Sequence, residues 1–154
     1  MLITAVITTY ERLGLAKRAI TSILNQSHGE TEILVVEDEP TSAKLVTYHL
    51  RMMRFKNTTE VAGGKSALEH LKKEKADLVI ADWHMPNMNG LNLFRTIREE
   101  ELWQDIPFLM ITVEKDHQKV QEAIQAGVRD YIVKPINVEM LKRKIHELLR
   151  LNEA

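Results

Sequence analysis

From residue 31 onward this chain repeats one pattern: a short apolar run that stops on a polar side chain, followed by an amphipathic stretch. Ala76-Asp77-Leu78-Val79-Ile80-Ala81-Asp82 is the clearest case, its carboxylate standing where Trp83-His84-Met85-Pro86-Asn87-Met88-Asn89-Gly90 turns away. Runs this short and continuous read as parallel strands covered on both faces. Their alternation with helical periodicity predicts repeated βα units and an α/β fold. The pattern predicts strands near 32–37, 57–61, 77–82, 107–112 and 129–133, and helices near 40–54, 65–75, 90–101, 115–126 and 137–150. The second strand has the weakest apolar signal. Pro40 suits a first helical turn, Gly63-Gly64 and Gly127 suit turns or caps, and Pro107 suits the start of a strand.

The other runs end as the third does. Ile33-Leu34-Val35-Val36 meets Glu37-Asp38-Glu39, Pro107-Phe108-Leu109-Met110-Ile111 meets Thr112, and Tyr131-Ile132-Val133 meets Lys134-Pro135. Parallel neighbours would bring these ends to one sheet edge, where ligands of open α/β sheets gather. Carboxylates crowded there repel one another and shift their pKa upward. A hard divalent cation with oxygen ligands, Mg²⁺ in particular, relieves that repulsion.

At 154 residues the length fits one main domain with its own core. The absence of cysteine excludes disulfides and thiol chemistry and fits a reducing, cytoplasmic setting. With 21 basic against 22 acidic residues and no basic block, nucleic-acid binding is not expected. The apolar start, Met1 to Ile7, lacks the features of a signal peptide and is too short to span a membrane. The six histidines, His28, His49, His70, His84, His117 and His146, lack metal-ligand spacing and read as solvated. Trp83 reads as a surface-anchored aromatic, and Trp103 as packing at a helix end.

Glu37-Asp38, Asp82, Thr112 and Lys134-Pro135, in that order and at those strand ends, resemble the receiver domain of two-component response regulators. The resemblance covers about residues 31–152, and the loop from Asp82 to Gly90 resembles the single-domain chemotaxis type. It implies a flavodoxin-like, doubly wound sheet of strand order 2-1-3-4-5. It also implies that Asp82 accepts a phosphoryl group from a histidine kinase or phosphotransfer protein. Glu37, Asp38, Asp82 and the backbone carbonyl of His84 would hold Mg²⁺, Asp38 more directly than Glu37. Lys134 would neutralise phosphoryl charge, and Lys134-Pro135 would be cis. The chemistry suits the residue types: a carboxylate can attack phosphorus, and phosphoryl transfer depends on positioning and charge neutralisation.

The same resemblance makes Thr112 and Tyr131 a switch. Thr112 would turn toward the phosphoryl group and Tyr131 would turn inward, reshaping the face of the fourth helix, fifth strand and fifth helix for a protein target such as a flagellar motor. Taken singly, Asp82 reads as a turn or capping residue and Tyr131 as a half-buried packing aromatic. Val113, where the family commonly has a smaller residue, together with His84 and Glu114, would tune the phosphoryl lifetime. No stretch after residue 152 is left for an output domain, so the expected output is a contact.

Three rival readings fit less of the sequence. A dehalogenase-type phosphatase needs a second acid two residues beyond its nucleophile, and His84 stands there. An unphosphorylated receiver-like interaction module has no need of so complete a set of strand-end groups. A family 2 glycosyltransferase resembles residues 1–38, but no later Asp-x-Asp or catalytic base follows. Residues 1–30 predict a βα extension: a strand over Leu2–Thr9, and a helix near Glu11–Gln26 with Leu13, Ala16, Ile20 and Leu24 in register. Of its options, adding at a sheet edge, packing as a helix elsewhere, exchanging with a second chain into a dimer or staying mobile, an ordered arrangement is expected.

Overall fold

A computed structural model describes residues 30–150, so the expected extension, its glycosyltransferase-like strand and its dimer lie outside the described residues. Five parallel strands form one sheet in the order β2-β1-β3-β4-β5. They are β1 Glu32–Val36, β2 Asn57–Val61, β3 Leu78–Asp82, β4 Phe108–Thr112 and β5 Tyr131–Val133. The helices are α1 Pro40–Met52, α2 Gly64–Lys73, α3 Gly90–Glu99, α4 His117–Ala126 and α5 Val138–Leu148. Among them no helix is long and apolar enough to cross a membrane.

Strand side chains alternate between faces, and that parity builds two cores. Ile33, Val35, Leu78, Ile80, Leu109, Ile111 and Ile132 pack with α1 and α5 through Val46, Leu50, Leu141 and Ile145. Leu34, Val36, Val79, Ala81, Phe108 and Met110 pack on the opposite face with Ala67, Leu71, Phe94, Ile97 and Ala123 of α2, α3 and α4. Central strands β3 and β4 are buried at every position, which is why their sequence is apolar up to the polar residue at the carboxyl end. The two edges differ. β2 is only half-buried, and its polar composition follows. In β5, only Ile132 is buried.

Helix ends fall inside the expected ranges for local reasons, except that α2 starts one residue earlier, at Gly64. Glu39, rather than a residue anticipated from the pattern, caps α1: its carboxylate accepts from the Thr41 and Ser42 N–H groups, with Pro40 in the first turn. These bonds hold the Glu39 carboxyl well below the usual carboxylate range. α4 starts at residue 117 instead of 115 because Asp116 caps it, and it ends on Gly127 at φ 103°. β5 is shorter than expected, although the bond from Met110 N–H to the Asp130 carbonyl carries the pairing further back.

Two aromatic-ring residues correct the surface reading. Trp83 is buried in the α2–α3–α4 core, because the loop after Asp82 folds back and the Gly90 N–H donates to the Trp83 carbonyl at 2.9 Å. His146 is likewise buried, on the inner side of α5. Gly90 permits the loop closure: a Cβ there would collide with the Asp82 carbonyl and lie 3.0 Å from Trp83 Cα. Gly90→Ala is therefore expected to lower stability by about 1–3 kcal/mol, read as a reduced urea midpoint. An unchanged midpoint would show that α3 can shift away without loss.

Candidate functional site

The carboxyl ends of four strands meet as expected. Val36 pairs with Ala81, Asp82 with Ile111, and Thr112 with Val133. Backbone bonds extend the ladders past the strands: Glu37 N–H to the Val61 carbonyl, Trp83 N–H to the Ile111 carbonyl, and Lys134 N–H to the Thr112 carbonyl at 2.7 Å. Glu37, Asp82 and Lys134 thus stand at positions fixed by the sheet. Glu37, Asp82 and Thr112 are buried, while Asp38 is exposed at the rim.

Carboxylate oxygens of Glu37, Asp38 and Asp82 lie within 4.8 Å of one another, a donor set of hard oxygens that fits a divalent cation. Lys134 Nζ lies 3.1 Å from Glu37 Oε2 and 3.3 Å from Asp82 Oδ1. Burial pushes the Asp82 carboxyl above its usual value, against the pull of Lys134. Burial does the same to Glu37, where the hydrogen bond from Lys134 opposes the shift and the Asp82 charge adds to it. Desolvation, more than the mutual repulsion anticipated from sequence, is the main cause. Burial also works against the Lys134 ammonium, yet bonding to Glu37 and the nearby Asp82 charge outweigh it and its pKa rises. The Lys134 ammonium thus faces two buried acids, with the exposed Asp38 carboxylate beside them.

The Thr112 hydroxyl accepts from the Glu114 N–H at 2.7 Å, which leaves its own proton available to donate. Glu114 draws two loops together. Its carboxylate accepts from the Asp116 N–H at 2.9 Å and from Lys119 Nζ at 3.1 Å, and lies 3.3 Å from His84 Nε2. The Asp116 N–H and Lys119 hold its carboxyl below the usual range. Lys119 escaped the sequence reading because a lysine on a helix surface gives no signal of such a contact. The His84 and Val113 side chains are exposed beside this bridge. Tyr131 is 41% exposed on the edge strand, so its ring stands outward. The peptide Lys134-Pro135 is cis. A groove of about 490 Å³ lies between the loop after Asp82 and α4, lined by Trp83, His84, Met85, Asn92, Lys119 and Glu122 among others.

Residues 33–146 match the family described as response regulator receiver domain. The chain is 42% identical over 127 residues to chemotaxis protein CheY-3 of Vibrio cholerae, covering 82% of this chain and 95% of that protein. It is 38% identical over 117 residues to chemotaxis protein CheY of Pseudomonas aeruginosa, covering 76% of this chain and 94% of that one. Among solved structures it is similar to the receiver domain of a signal transduction histidine kinase from Syntrophus aciditrophicus, with a TM-score of 0.73 at 32% identity, covering 78% and 90% of the two chains. It is also similar to the receiver domain of a sensor histidine kinase from Pseudomonas aeruginosa, with a TM-score of 0.71 at 28% identity, covering 78% and 98%. That domain was solved with a magnesium ion coordinated in the active site cleft.

Proposed function

The chain belongs to the response regulator receiver domain family, the switch of two-component signalling, and we propose that its Asp82 takes a phosphoryl group from the phosphohistidine of a histidine kinase or phosphotransfer protein. The observation that carries this reading is the Asp82 carboxylate at a strand end with Lys134 Nζ 3.3 Å away and Glu37 and Asp38 beside it. An Asp82 oxygen attacks phosphorus, an O–P bond forms, the donor's N–P bond breaks, and the imidazole leaves with its electron pair and takes up a proton. Glu37, Asp38, Asp82 and the His84 backbone carbonyl would hold Mg²⁺, which supplies positive charge to the transferring oxygens. Lys134, within 3.3 Å of the Asp82 carboxylate, supplies a second positive charge. Its side chain is anchored by Glu37 at 3.1 Å, so little reordering is needed for it to serve.

The output follows from Thr112. A phosphoryl group adds about −1.5 to −2 charge and strong acceptor oxygens, toward which the Thr112 hydroxyl can donate once it leaves the Glu114 N–H. Tyr131, outward in this state, would fill the vacated space and change the face formed by α4, β5 and α5. Coupling of this kind is typically about 1–3 kcal/mol, enough to bias partner docking. Val113, His84 and Glu114 stand at the rim and would set how readily water reaches the acyl phosphate. The likeness to chemotaxis proteins supports a cytoplasmic role in chemotaxis, with a flagellar-motor target as the leading example.

The test is direct. With Mg²⁺ and acetyl phosphate, the intact mass of the protein should rise by one phosphoryl group. Beryllofluoride with Mg²⁺ should change the fluorescence of Trp83, which adjoins Asp82. A chain that gains no mass and gives no fluorescence response would remove the phosphoacceptor reading and leave a receiver-shaped interaction module.

A further inference from the structure

We propose that Lys119 is a positioning residue that prolongs the phosphorylated state: it holds the Glu114 carboxylate across the gap to His84 and so narrows the path of water to the phosphoryl group. The inference rests on phosphoryl transfer to Asp82 as read above. β3 and β4 are neighbours, with Asp82 paired to Ile111, so the loops that follow them flank the space beyond Asp82. His84 stands in one loop and Glu114 in the other, with Glu114 Oε2 3.3 Å from His84 Nε2. The Glu114 side chain is largely covered, 10% exposed. Its two oxygens are held differently. Oε1 accepts from the Lys115 and Asp116 backbone N–H groups at 3.1 and 2.9 Å, whereas Oε2, the oxygen facing His84, has the Lys119 ammonium at 3.1 Å. Removing that ammonium leaves Oε1 tied and Oε2 without its cation.

The helix itself gives Lys119 no reason to be there. It lies in the first turn of α4, where the helix dipole disfavours a cation. Two acids stand at helix-neighbour spacing from it, Asp116 three residues before and Glu122 three after. Both are engaged elsewhere: Asp116 accepts from the Gln118 N–H at 2.8 Å, and Glu122 from Arg95 at 2.9 Å. Lys119 reaches back to the loop instead. The Thr112 hydroxyl takes no part in these carboxylate bonds, since it meets only the Glu114 N–H, so the bridge can persist when Thr112 turns toward a phosphoryl group. Loss of that group by hydrolysis forms a bond from a water oxygen to phosphorus, in line with the departing Asp82 oxygen. The Asp82 oxygen keeps the electron pair of the broken O–P bond, and both water hydrogens leave on the inorganic phosphate. In-line attack comes from the side away from Asp82, where the two bridged loops meet.

The full chain, Lys119→Met, Lys119→Arg, Glu114→Gln and the double variant Glu114→Gln with Lys119→Met are each loaded with acetyl phosphate and Mg²⁺ and freed of donor. Loss of the phosphoryl group is then followed by intact mass. The Lys119 side chain is 52% exposed, so methionine fits without repacking. Decay should be about 3–5-fold faster in Lys119→Met, the scale of one partly exposed ion pair. It should return close to the parent in Lys119→Arg, and the double variant should decay no faster than Glu114→Gln alone. Such non-additivity marks an effect exerted through Glu114, whereas a general effect of removing a positive charge would appear in both backgrounds. Equal decay in the parent and Lys119→Met, an undiminished acceleration in the Glu114→Gln background, or failure of arginine to restore the lifetime overturns the proposal and leaves phosphoryl uptake standing. A parent chain that gains no phosphoryl mass overturns the phosphoacceptor reading and this inference with it.

Discussion

Replacing Asp82 with asparagine is expected to abolish phosphoryl uptake and, in the same variant, to make the metal-free protein harder to unfold. Both effects come from one carboxylate. Burial raises the Asp82 pKa above its ordinary 3.8, so its folded-state charge is disfavoured relative to the unfolded chain. A raised folded pKa contributes stability that is complete below the unfolded value and is lost as pH rises through the folded one. Near neutral pH the Asp82 charge therefore costs stability, and the same sign holds for Glu37, raised above 4.5. Asparagine keeps the shape and removes the charge. Lys134 loses one partner but keeps Glu37 at 3.1 Å, so no cation is stranded.

A gain of about 0.5–2 kcal/mol in urea unfolding near neutral pH is expected, the range typical of stabilising substitutions at functional sites. The parent should lose stability as pH rises from mildly acidic toward neutral, and Asp82→Asn should lose less over the same interval. Adding Mg²⁺ should raise the parent's midpoint more than the variant's, because a ligand stabilises whatever state binds it. An asparagine variant less stable than the parent at neutral pH would mean that the Lys134–Asp82 pair outweighs the desolvation of Asp82.

Much of this site was legible before the fold, for a reason specific to parallel sheets. Between their first and last residues β1, β3 and β4 are buried on both faces and wholly apolar, so the next polar group marks the strand end. Glu37-Asp38, Asp82 and Thr112 announce themselves in that way. β2 does not, because an edge strand half-open to water carries Asn57, Thr58, Thr59 and Glu60 without cost. The burial of Trp83 is not legible in the sequence, because the turn around it is closed by contacts at Gly90, a close approach that leaves no periodic trace. The bridge from His84 through Glu114 to Lys119 joins two loops and a helix surface, and loop conformation is not encoded in periodicity.

Lys134 carries the largest expected loss after Asp82 itself. Lys134→Met removes the ammonium that lies 3.1 Å from Glu37 and 3.3 Å from Asp82, and leaves two buried acids facing each other with no cation from the described residues bonded to either. Each carboxyl should then titrate higher than in the parent, because the hydrogen bonding and charge that oppose burial are gone. Stability near neutral pH is expected to fall by about 1–3 kcal/mol, the usual consequence of a buried group left without its partner. The sign of the pH dependence identifies the cause: acidification should restore more stability to Lys134→Met than to the parent, since protonating either acid removes the repulsion. Phosphoryl uptake from acetyl phosphate should slow by about 10²–10³-fold, the scale on which a preorganised charge-stabilising donor acts. Lys134→Arg separates the two roles. Its charge should recover most of the stability, but a planar guanidinium cannot occupy the point position of the ammonium, so uptake should stay slow. Parent-like uptake in Lys134→Met would leave the divalent cation as the sole neutralising charge and would remove Lys134 from the transfer step.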